Sequence, residues 1–299
     1  MKKIALSLFV SIFTFVAGAQ NNFLLYSIKG SATVVDNKTE TPAKAGRVLT
    51  GNASLKVGAG ATVTLICNES AMFTVRKPGT YTLSQFKDSC AVTNSSVSAN
   101  YIKYVWNQMT SHGEGSPGSN RKAFMNTIGA VSRGINNIWI DPKLDTVNYV
   151  AGEFPLSWKS YAEAKDFEFS IFSSTDPATP VYKTVVGKLK ISIATFADKL
   201  KAGNSYLWTS AVRGEQNEEL KVLNVVSKET YGQLLATLKG DNKAFEAEAE
   251  QSYRLAFLLE DAHYLAEAYQ YYTKAATADP TNPLYRATLM SFKKDYEIK

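Results

Sequence analysis

Apolar and polar residues alternate over residues 23–86 in the manner of short β-strands joined by turns. Gly or Pro-Gly interrupts the alternation roughly every 8–12 residues, which is typical of an all-β sandwich or roll. The apolar positions, each set on one face of a strand, are Leu24, Tyr26 and Ile28; Ala32 and Val34; Leu55 and Val57; Val63, Leu65 and Cys67; Phe73 and Val75; and Tyr81 and Leu83. Residues 96–110 then carry apolar side chains at helical spacing. The pattern predicts a β domain over residues 20–110 that ends with a helix.

A second set of predicted strands occupies residues 149–227. The strand segments are 154–159, 167–173, 181–186, 189–193, 204–212 and 220–226. This number of short strands in about 80 residues fits a small β-sandwich. Trp158, Tyr206 and Trp208 lie on these strands, and we expect them to pack in the core rather than form an exposed platform for a sugar.

The apolar period becomes helical over residues 228–299. Four apolar faces follow one another at spacings of three and four residues. They comprise Tyr231, Leu234, Leu235 and Leu238; Phe245, Ala249, Ser252, Tyr253, Ala256 and Leu259; Leu265, Ala268, Tyr269, Tyr272, Ala275 and Ala276; and Leu284, Ala287, Thr288 and Phe292. Gly240 and Asp279-Pro280 mark helix ends. The predicted fold class is therefore a multidomain β + α protein, in which two β domains precede C-terminal helical hairpins.

Residues 111–148 are predicted to be a linker with an extended segment. Residues 111–120 are rich in Gly and Ser, and they include His112 and Glu114. A Ser nucleophile needs a base and an orienting acid held rigidly beside it, and this composition does not supply rigidity. We expect a linker or a mobile binding loop here rather than a catalytic site.

Residues 1–19 have the three parts of a secretory signal peptide. Lys2-Lys3 supplies positive charge, residues 4–16 are largely apolar, and Ala17-Gly18-Ala19 has the small-x-small form that signal peptidase accepts. The apolar run is shorter than the about 20 residues of a spanning helix, and no Cys follows it. We expect cleavage between Ala19 and Gln20, export to the periplasm or the exterior, and no transmembrane anchor after processing. An uncleaved anchor is the alternative.

The distribution of charge argues against a nucleic-acid-binding protein. The formal net charge is +6, two units of which lie in the predicted signal peptide, and the remaining basic residues are dispersed. A nucleic-acid-binding protein concentrates basic and aromatic residues on one face, so we expect no nucleic-acid partner.

The two cysteines, Cys67 and Cys90, could form a disulfide in an oxidising compartment. A buried free thiol is the alternative, because Cys67 continues the apolar side of its strand. The cysteines and the distant His112 and His263 do not have the spacing of a metal site. We expect no metal and no other cofactor.

Three runs in the first β domain resemble the motifs of a FecR-type domain, over about residues 24–86. The runs are Ile28-Lys29-Gly30-Ser31-Ala32-Thr33-Val34, Ala45-Gly46-Arg47-Val48-Leu49-Thr50-Gly51 and Ala59-Gly60-Ala61-Thr62-Val63-Thr64-Leu65. The resemblance implies a small β-fold that relays extracytoplasmic signals to an anti-sigma system or serves as a module of exported proteins. No apolar run of spanning length follows the signal peptide, which favours the exported module.

The two later regions resemble other modular families. The second β region is similar to fibronectin type III and related immunoglobulin-like domains, in which aromatic residues at such positions pack the core. The motifs are Pro155-Leu156-x-Trp158, Phe167-x-Phe169-x-Ile171 and Leu200-x-Ala202-Gly203-x-x-Tyr206-x-Trp208. The helical region resembles a tetratricopeptide repeat, which has small residues where paired helices approach. The matching positions are Leu255-Ala256, Leu259, Ala268, Tyr272, Ala275 and Pro280. A generic four-helix cap, with His263 in a turn between helices, is the alternative.

Together these features predict a non-enzymatic exported protein that binds or scaffolds partners in the cell envelope. A protein or peptide partner would occupy the helical groove, for which Tyr253, Tyr269 and Tyr272 are the candidate lining residues; a cell-wall polymer is a further candidate partner. The alternatives are a sensor of an extracytoplasmic signalling system and a hydrolase of cell-wall polymer. A hydrolase needs a carboxylate pair or an activated nucleophile. Asp141, Asp145 and Glu153 are predicted to lie at turns and strand edges, so we assign no catalytic residue.

Overall fold

The computed structural model describes residues 21–90, 99–110, 121–125, 137–240 and 246–299. Within these ranges the chain forms two β units and five α-helices, four of which follow residue 227. The predicted β plus α architecture is confirmed. The predicted cleavage site at Ala19 and Gln20 lies outside the described residues, as does the loop 111–120. No helix in the described ranges is both long and apolar enough to cross a membrane.

The first β unit is a pair of four-stranded antiparallel sheets. Its strands are β1 (Asn22–Lys29), β2 (Ala32–Asp36), β3 (Thr39–Pro42), β4 (Val48–Thr50), β5 (Ser54–Val57), β6 (Thr62–Cys67), β7 (Ala71–Val75) and β8 (Gly79–Thr82). One sheet has the order β4-β1-β6-β7 and the other β3-β2-β5-β8. Apolar side chains from both sheets, including Val34, Leu55 and Leu65, form a sandwich core between them. Strand β3 escaped prediction because it is a polar, mostly exposed edge strand.

Strand β1 is buried on both faces. Phe23 and Leu25 belong to the sandwich core, whereas Leu24 and Tyr26 belong to a second core that the helices share. An irregularity in the pairing with β6 falls between Leu25 and Ser27 and returns Ile28 to the sandwich side. The expectation that Leu24, Tyr26 and Ile28 share one face is therefore wrong, because an extra residue reverses the alternation.

Cys67 and Cys90 form a disulfide, with their Cα atoms 5.5 Å apart. Cys67 lies in the sandwich core with Val63 and Leu65, on the face that the alternation predicts. Cys90 ends a short 3-10 turn that follows β8. The bond ties the last described part of this unit to the end of β6.

The second β unit is built on a five-stranded sheet. Its strands are β9 (Ile138–Trp139), β10 (Thr146–Tyr149), β11 (Pro155–Ser157), β12 (Lys159–Ser160), β13 (Phe167–Ser173), β14 (Asp176–Val186), β15 (Lys190–Ser192), β16 (Ser205–Val212) and β17 (Lys221–Val225). The order is β10-β17-β16-β13-β14, and β10 runs parallel to β17. Two short pairs, β11 with β15 and β9 with β12, complete the unit. Strands β9 and β10 thus begin within residues 111–148, which were predicted to be a linker with an extended segment.

The aromatic core of this unit agrees with the prediction. Trp158 and Trp208 are 2% and 0% exposed, and Tyr206 is also buried. The Trp158 ring stacks on Phe169 with centroids 6.0 Å apart, and Phe169 contacts the Trp208 ring at 5.9 Å. These rings fill the interior, so they offer no exposed platform for a sugar.

The chain has five α-helices in the described ranges. They are α1 (Ala99–Thr110), α2 (Lys228–Lys239), α3 (Glu248–Asp261), α4 (Leu265–Ala278) and α5 (Pro283–Asp295). Helices α2 and α5 begin at residues that favour helix ends. The side chain of Ser227 caps α2, and Gly240 ends it with φ at 60°. Asn282 caps α5, and Pro283 occupies its first turn. A Ser or Asn side chain at the N-cap accepts a backbone N–H that has no partner within the helix. Pro fits the first turn because no helical bond needs its missing N–H, and Gly readily adopts the positive φ at a helix end.

Helix α3 is the centre of the shared core. The Tyr253 ring contacts Tyr101 of α1 at 6.1 Å and Tyr285 of α5 at 4.8 Å. Tyr285 in turn donates a hydrogen bond to the Tyr26 hydroxyl of β1 over 3.2 Å, and Tyr26 lies 2.8 Å from the Tyr101 hydroxyl. Rings and hydroxyl groups from four separate elements thus meet in one interior, which joins the helices to the first β unit.

A buried ion pair crosses the helices. Arg121 Nε donates to both oxygens of Glu260, over 2.8 Å and 3.1 Å, and neither side chain has exposed surface. The hydroxyl groups of Tyr272 and Tyr296 donate to the same carboxylate over 3.0 Å and 3.1 Å. The guanidinium also lies 5.3 Å from the centre of the Phe292 ring. The pair connects residues 121–125 to α3, α4 and the end of α5.

We expect replacement of both cysteines by alanine to destabilise the first β unit by about 3 kcal/mol, because the bond restricts the unfolded loop that it closes. Urea unfolding of the wild type and of the Cys67→Ala/Cys90→Ala variant measures this. Dithiothreitol should lower the wild-type midpoint and leave that of the variant unchanged. Equal sensitivity of both proteins to the reductant would exclude a stabilising bridge.

Replacement of Glu260 by glutamine should cost about 2 kcal/mol of unfolding free energy, because it removes one of two carboxylates that pair with the buried Arg121 and leaves only Asp295, 2.9 Å away. The matched control is Glu40→Gln, which removes an exposed carboxylate that pairs with Lys56. That pair is solvated, so the control should unfold as the wild type does. Similar midpoints for all three proteins in urea would show that the buried pair adds nothing.

Candidate functional site

The tyrosines predicted to line a helical groove are placed mainly in the interior. Tyr253 and Tyr272 have no exposed surface, and their hydroxyl groups bond to Tyr104 and Glu260. Tyr269 is partly exposed, and its ring stacks on Phe292 with centroids 6.1 Å apart. The predicted groove therefore needs correction at Tyr253 and Tyr272, because a ring without exposed surface cannot contact a partner.

The other candidate residues have local structural contacts. Asp141 accepts the backbone N–H of Lys143 over 3.0 Å, Asp145 pairs with the buried Lys221, and Glu153 is exposed. His263 lies between α3 and α4 with φ at 63°, so the prediction that it occupies a turn is confirmed. His112 lies outside the described residues.

A pocket of about 330 Å³ opens where the second β unit meets the helices. Its walls come from α2, α4 and the turn that follows β10. The lining residues are Val150, Ala151, Tyr231, Leu235, Glu267, Gln270, Tyr271 and Lys274. The volume is at the lower end of the range for small-molecule sites. The α4 residues recur at intervals of three and four and therefore share one helix face.

Glu267 is the most constrained polar group of the pocket. It is 4% exposed, and its Oε1 accepts the backbone N–H groups of Val150 and Ala151 over 3.1 Å and 3.2 Å. Its Oε2 is buried and has no hydrogen-bond partner among the described residues. Burial raises the pKa of this carboxyl, and the backbone N–H groups oppose that shift. Backbone thus fixes one oxygen of Glu267, which places an acidic side chain in the wall of the pocket.

Tyrosine rings surround this carboxyl. The Tyr231 ring of α2 packs against the Tyr264 ring with centroids 5.6 Å apart. Burial raises the pKa values of Tyr149, Tyr231 and Tyr264, and the charge of Glu267 raises them further. Burial also raises the pKa of Tyr271. All four phenols therefore stay neutral across the physiological pH range.

Gly152 gives the turn after β10 a left-handed backbone conformation next to α4. Its φ of +101° lies in the left-handed region, and a Cβ atom here would come within 2.7 Å of the Gln270 amide nitrogen. The Tyr149 hydroxyl donates to the Gly152 carbonyl over 2.9 Å. The two backbone N–H groups that hold Glu267 belong to the same turn, so glycine's conformational freedom helps to build the pocket.

The pocket rim carries an ion pair. Lys274 Nζ lies 3.1 Å from the Glu248 carboxylate, and both side chains are more than half exposed. The pocket thus has a carboxyl group inside and balanced charges outside. Among the described residues, no group of three or more His, Cys, Asp or Glu side chains could hold a metal ion.

No family model matches the sequence, and no curated protein matches it significantly. Its chemistry is therefore interpreted from the geometry of the pocket. An acidic side chain in the wall, aromatic rings and a small volume suit binding of a donor group on an apolar body.

Sequence reasoning did not identify the pocket residues. It assigned Leu265, Ala268 and Tyr272 to the packing face of α4. The neighbouring face, formed by Glu267, Gln270, Tyr271 and Lys274, has a mixed composition that is ordinarily read as solvated. The one available signal was an aromatic residue and a carboxylate four positions apart on that face.

We expect Glu267→Gln to stabilise the protein relative to the wild type as pH rises. The folded-state pKa of Glu267 lies above its ordinary value of 4.5, so the wild type loses stability as pH rises from 4.5 through the raised pKa. Glutamine cannot ionise, yet its oxygen can still accept both backbone N–H groups. Urea unfolding at pH 4.5 and pH 8 measures the difference between the two proteins.

The control for this experiment is Glu229→Gln, which removes an exposed carboxylate in the first turn of α2. Burial also raises the pKa of Glu250, but that group is common to all three proteins and cancels in the comparison. A Glu267→Gln difference that is constant or shrinks with pH would contradict the assigned environment of Glu267.

Proposed function

We propose that this chain is an exported, non-enzymatic protein of the cell envelope that binds a partner in the pocket between α2, α4 and the turn after β10. Export rests on the signal-peptide pattern of residues 1–19. The binding role rests on one observation: the pocket combines an acidic side chain held by two backbone N–H groups, Glu267, with the aromatic rings of Tyr231 and Tyr271. A concave, mostly apolar site with a few fixed polar groups is the usual form of a ligand pocket.

The way the pocket is built supports this proposal. Its walls come from a β unit and from two helices, and these segments pack in one shared core. Packing of this kind holds the pocket in shape before a ligand arrives, which reduces the ordering cost of binding. A partner bound here would contact both the β unit and the helices, as expected for a scaffold.

The module assignments are part of the same proposal and rest on sequence motifs. We infer a FecR-like first β unit, a fibronectin- or immunoglobulin-like second β unit, and a tetratricopeptide-like pair formed by α3 and α4. In repeat proteins of the last kind, a short array needs neighbours to cover its faces. The contacts of α3 with α1 and β1 are consistent with such a cover.

The test is affinity capture from envelope fractions with three forms of the mature protein. Leu235→Trp fills the pocket from α2, and Ala236→Trp adds the same ring at the next, exposed position outside the lining. We expect the wild type and Ala236→Trp to retain a common partner or small molecule, and Leu235→Trp to lose it by at least about tenfold.

Thermal unfolding of the three proteins establishes that both tryptophan variants are folded. Equal recovery by all of them, or recovery of nothing by the wild type, would overturn the proposal that this pocket is the binding site.

A further inference from the structure

We infer that the pocket recognises a protonated primary amine, whose ammonium group pairs with the Glu267 carboxylate while its carbon chain lies along Tyr231 and Tyr271. This inference rests on the proposed function and adds the ligand class to it. The amine could belong to a free small molecule or to the end of a lysyl side chain in a peptide. Both sources present the same alkylammonium group.

The hydrogen bonds of Glu267 point to a donor with positive charge. Two backbone N–H groups hold Oε1 and stabilise the ionised carboxylate, but they carry no net charge, and Lys274 of the lining pairs with Glu248 instead. A hydroxyl or amide ligand would supply a donor but would leave the buried negative charge uncompensated. An ammonium group supplies both the donor and the opposite charge, and such charge-assisted bonds are the stronger ones.

The walls fit the rest of such a ligand. Tyr231 and Tyr271 present aromatic rings, and Val150 and Leu235 present aliphatic surface. Aromatic faces attract ammonium groups, and the attraction grows when water is excluded. A chain of a few methylene groups would bury its apolar surface against these residues.

Lys274 is the one cationic group of the lining, and it does not compete for Glu267. Its ammonium lies beside Glu248 at 3.1 Å and is more than half exposed, so this pair leaves the rim close to neutral. The titratable groups that face Glu267 from neighbouring elements are Tyr149 of β10, Tyr231 of α2 and Tyr264 before α4. All three are neutral phenols, because burial raises their pKa values.

The deciding experiment is isothermal titration calorimetry in phosphate buffer, since Tris is itself a primary amine. The probes are n-butylamine, the tripeptide Ala-Lys-Ala with blocked termini, and two neutral analogues: n-butanol and the same tripeptide with an acetylated lysine. We expect at least one amine to bind the wild type at least about tenfold more tightly than its neutral analogue, because a charge-assisted bond is lost in the analogue. Tighter binding of the tripeptide than of n-butylamine indicates a lysyl side chain, and tighter binding of n-butylamine indicates a free amine.

The variants separate binding from folding. Glu267→Gln should weaken amine binding at least about tenfold although it does not lower stability at neutral pH, and Leu235→Trp should abolish binding. Ala236→Trp should bind as the wild type does. Amine affinity should also rise with pH above 4.5 and level off once Glu267 is ionised.

Two results would overturn the inference: equal binding of amines and neutral analogues, or unchanged amine binding by Glu267→Gln. If capture from envelope fractions still depends on Leu235 in that case, the pocket remains the binding site and only the ligand class is wrong. If amines bind the pocket but capture does not depend on Leu235, the ligand class stands and the proposed binding of an envelope partner fails.

Discussion

The helices are held to the rest of the chain by buried polar side chains that must find partners. A buried hydroxyl or charge without a partner costs more free energy than a typical hydrogen bond contributes. The Tyr253 hydroxyl bonds to Tyr104 of α1 and to Thr288 of α5, and Glu260 bonds to Arg121. Few arrangements of the helices satisfy all these groups together, so the polar interior selects one of them.

This constraint also positions the candidate site. The packing face of α4 contains Tyr272, which bonds to Glu260 inside the helices. With that face engaged, the neighbouring face turns Glu267 toward the N–H groups of Val150 and Ala151. The position of the pocket therefore depends on contacts made on another side of the same helix.

Much of the local structure could be predicted, since period and end signals are local properties. The helix that ends at Gly240 and the buried Trp158 and Trp208 follow from the order of residues. The two-sided burial of β1 could not be predicted, because it depends on a pairing irregularity and on helices that lie far away in sequence. Tyr253 and Tyr272 were offered as groove residues for a similar reason: their spacing shows a shared face but not what covers it.

The sequence by itself determined the β then α order, the ends of α2 and α4, and the aromatic core of the second β unit. These features depend on side-chain period and on capping residues within a few positions. Only the tertiary structure decided which faces are covered and where a pocket forms. Residues 150–152, Tyr231 and Glu267 come from three separate segments. Their meeting depends on packing between distant parts of the chain, which no local pattern encodes.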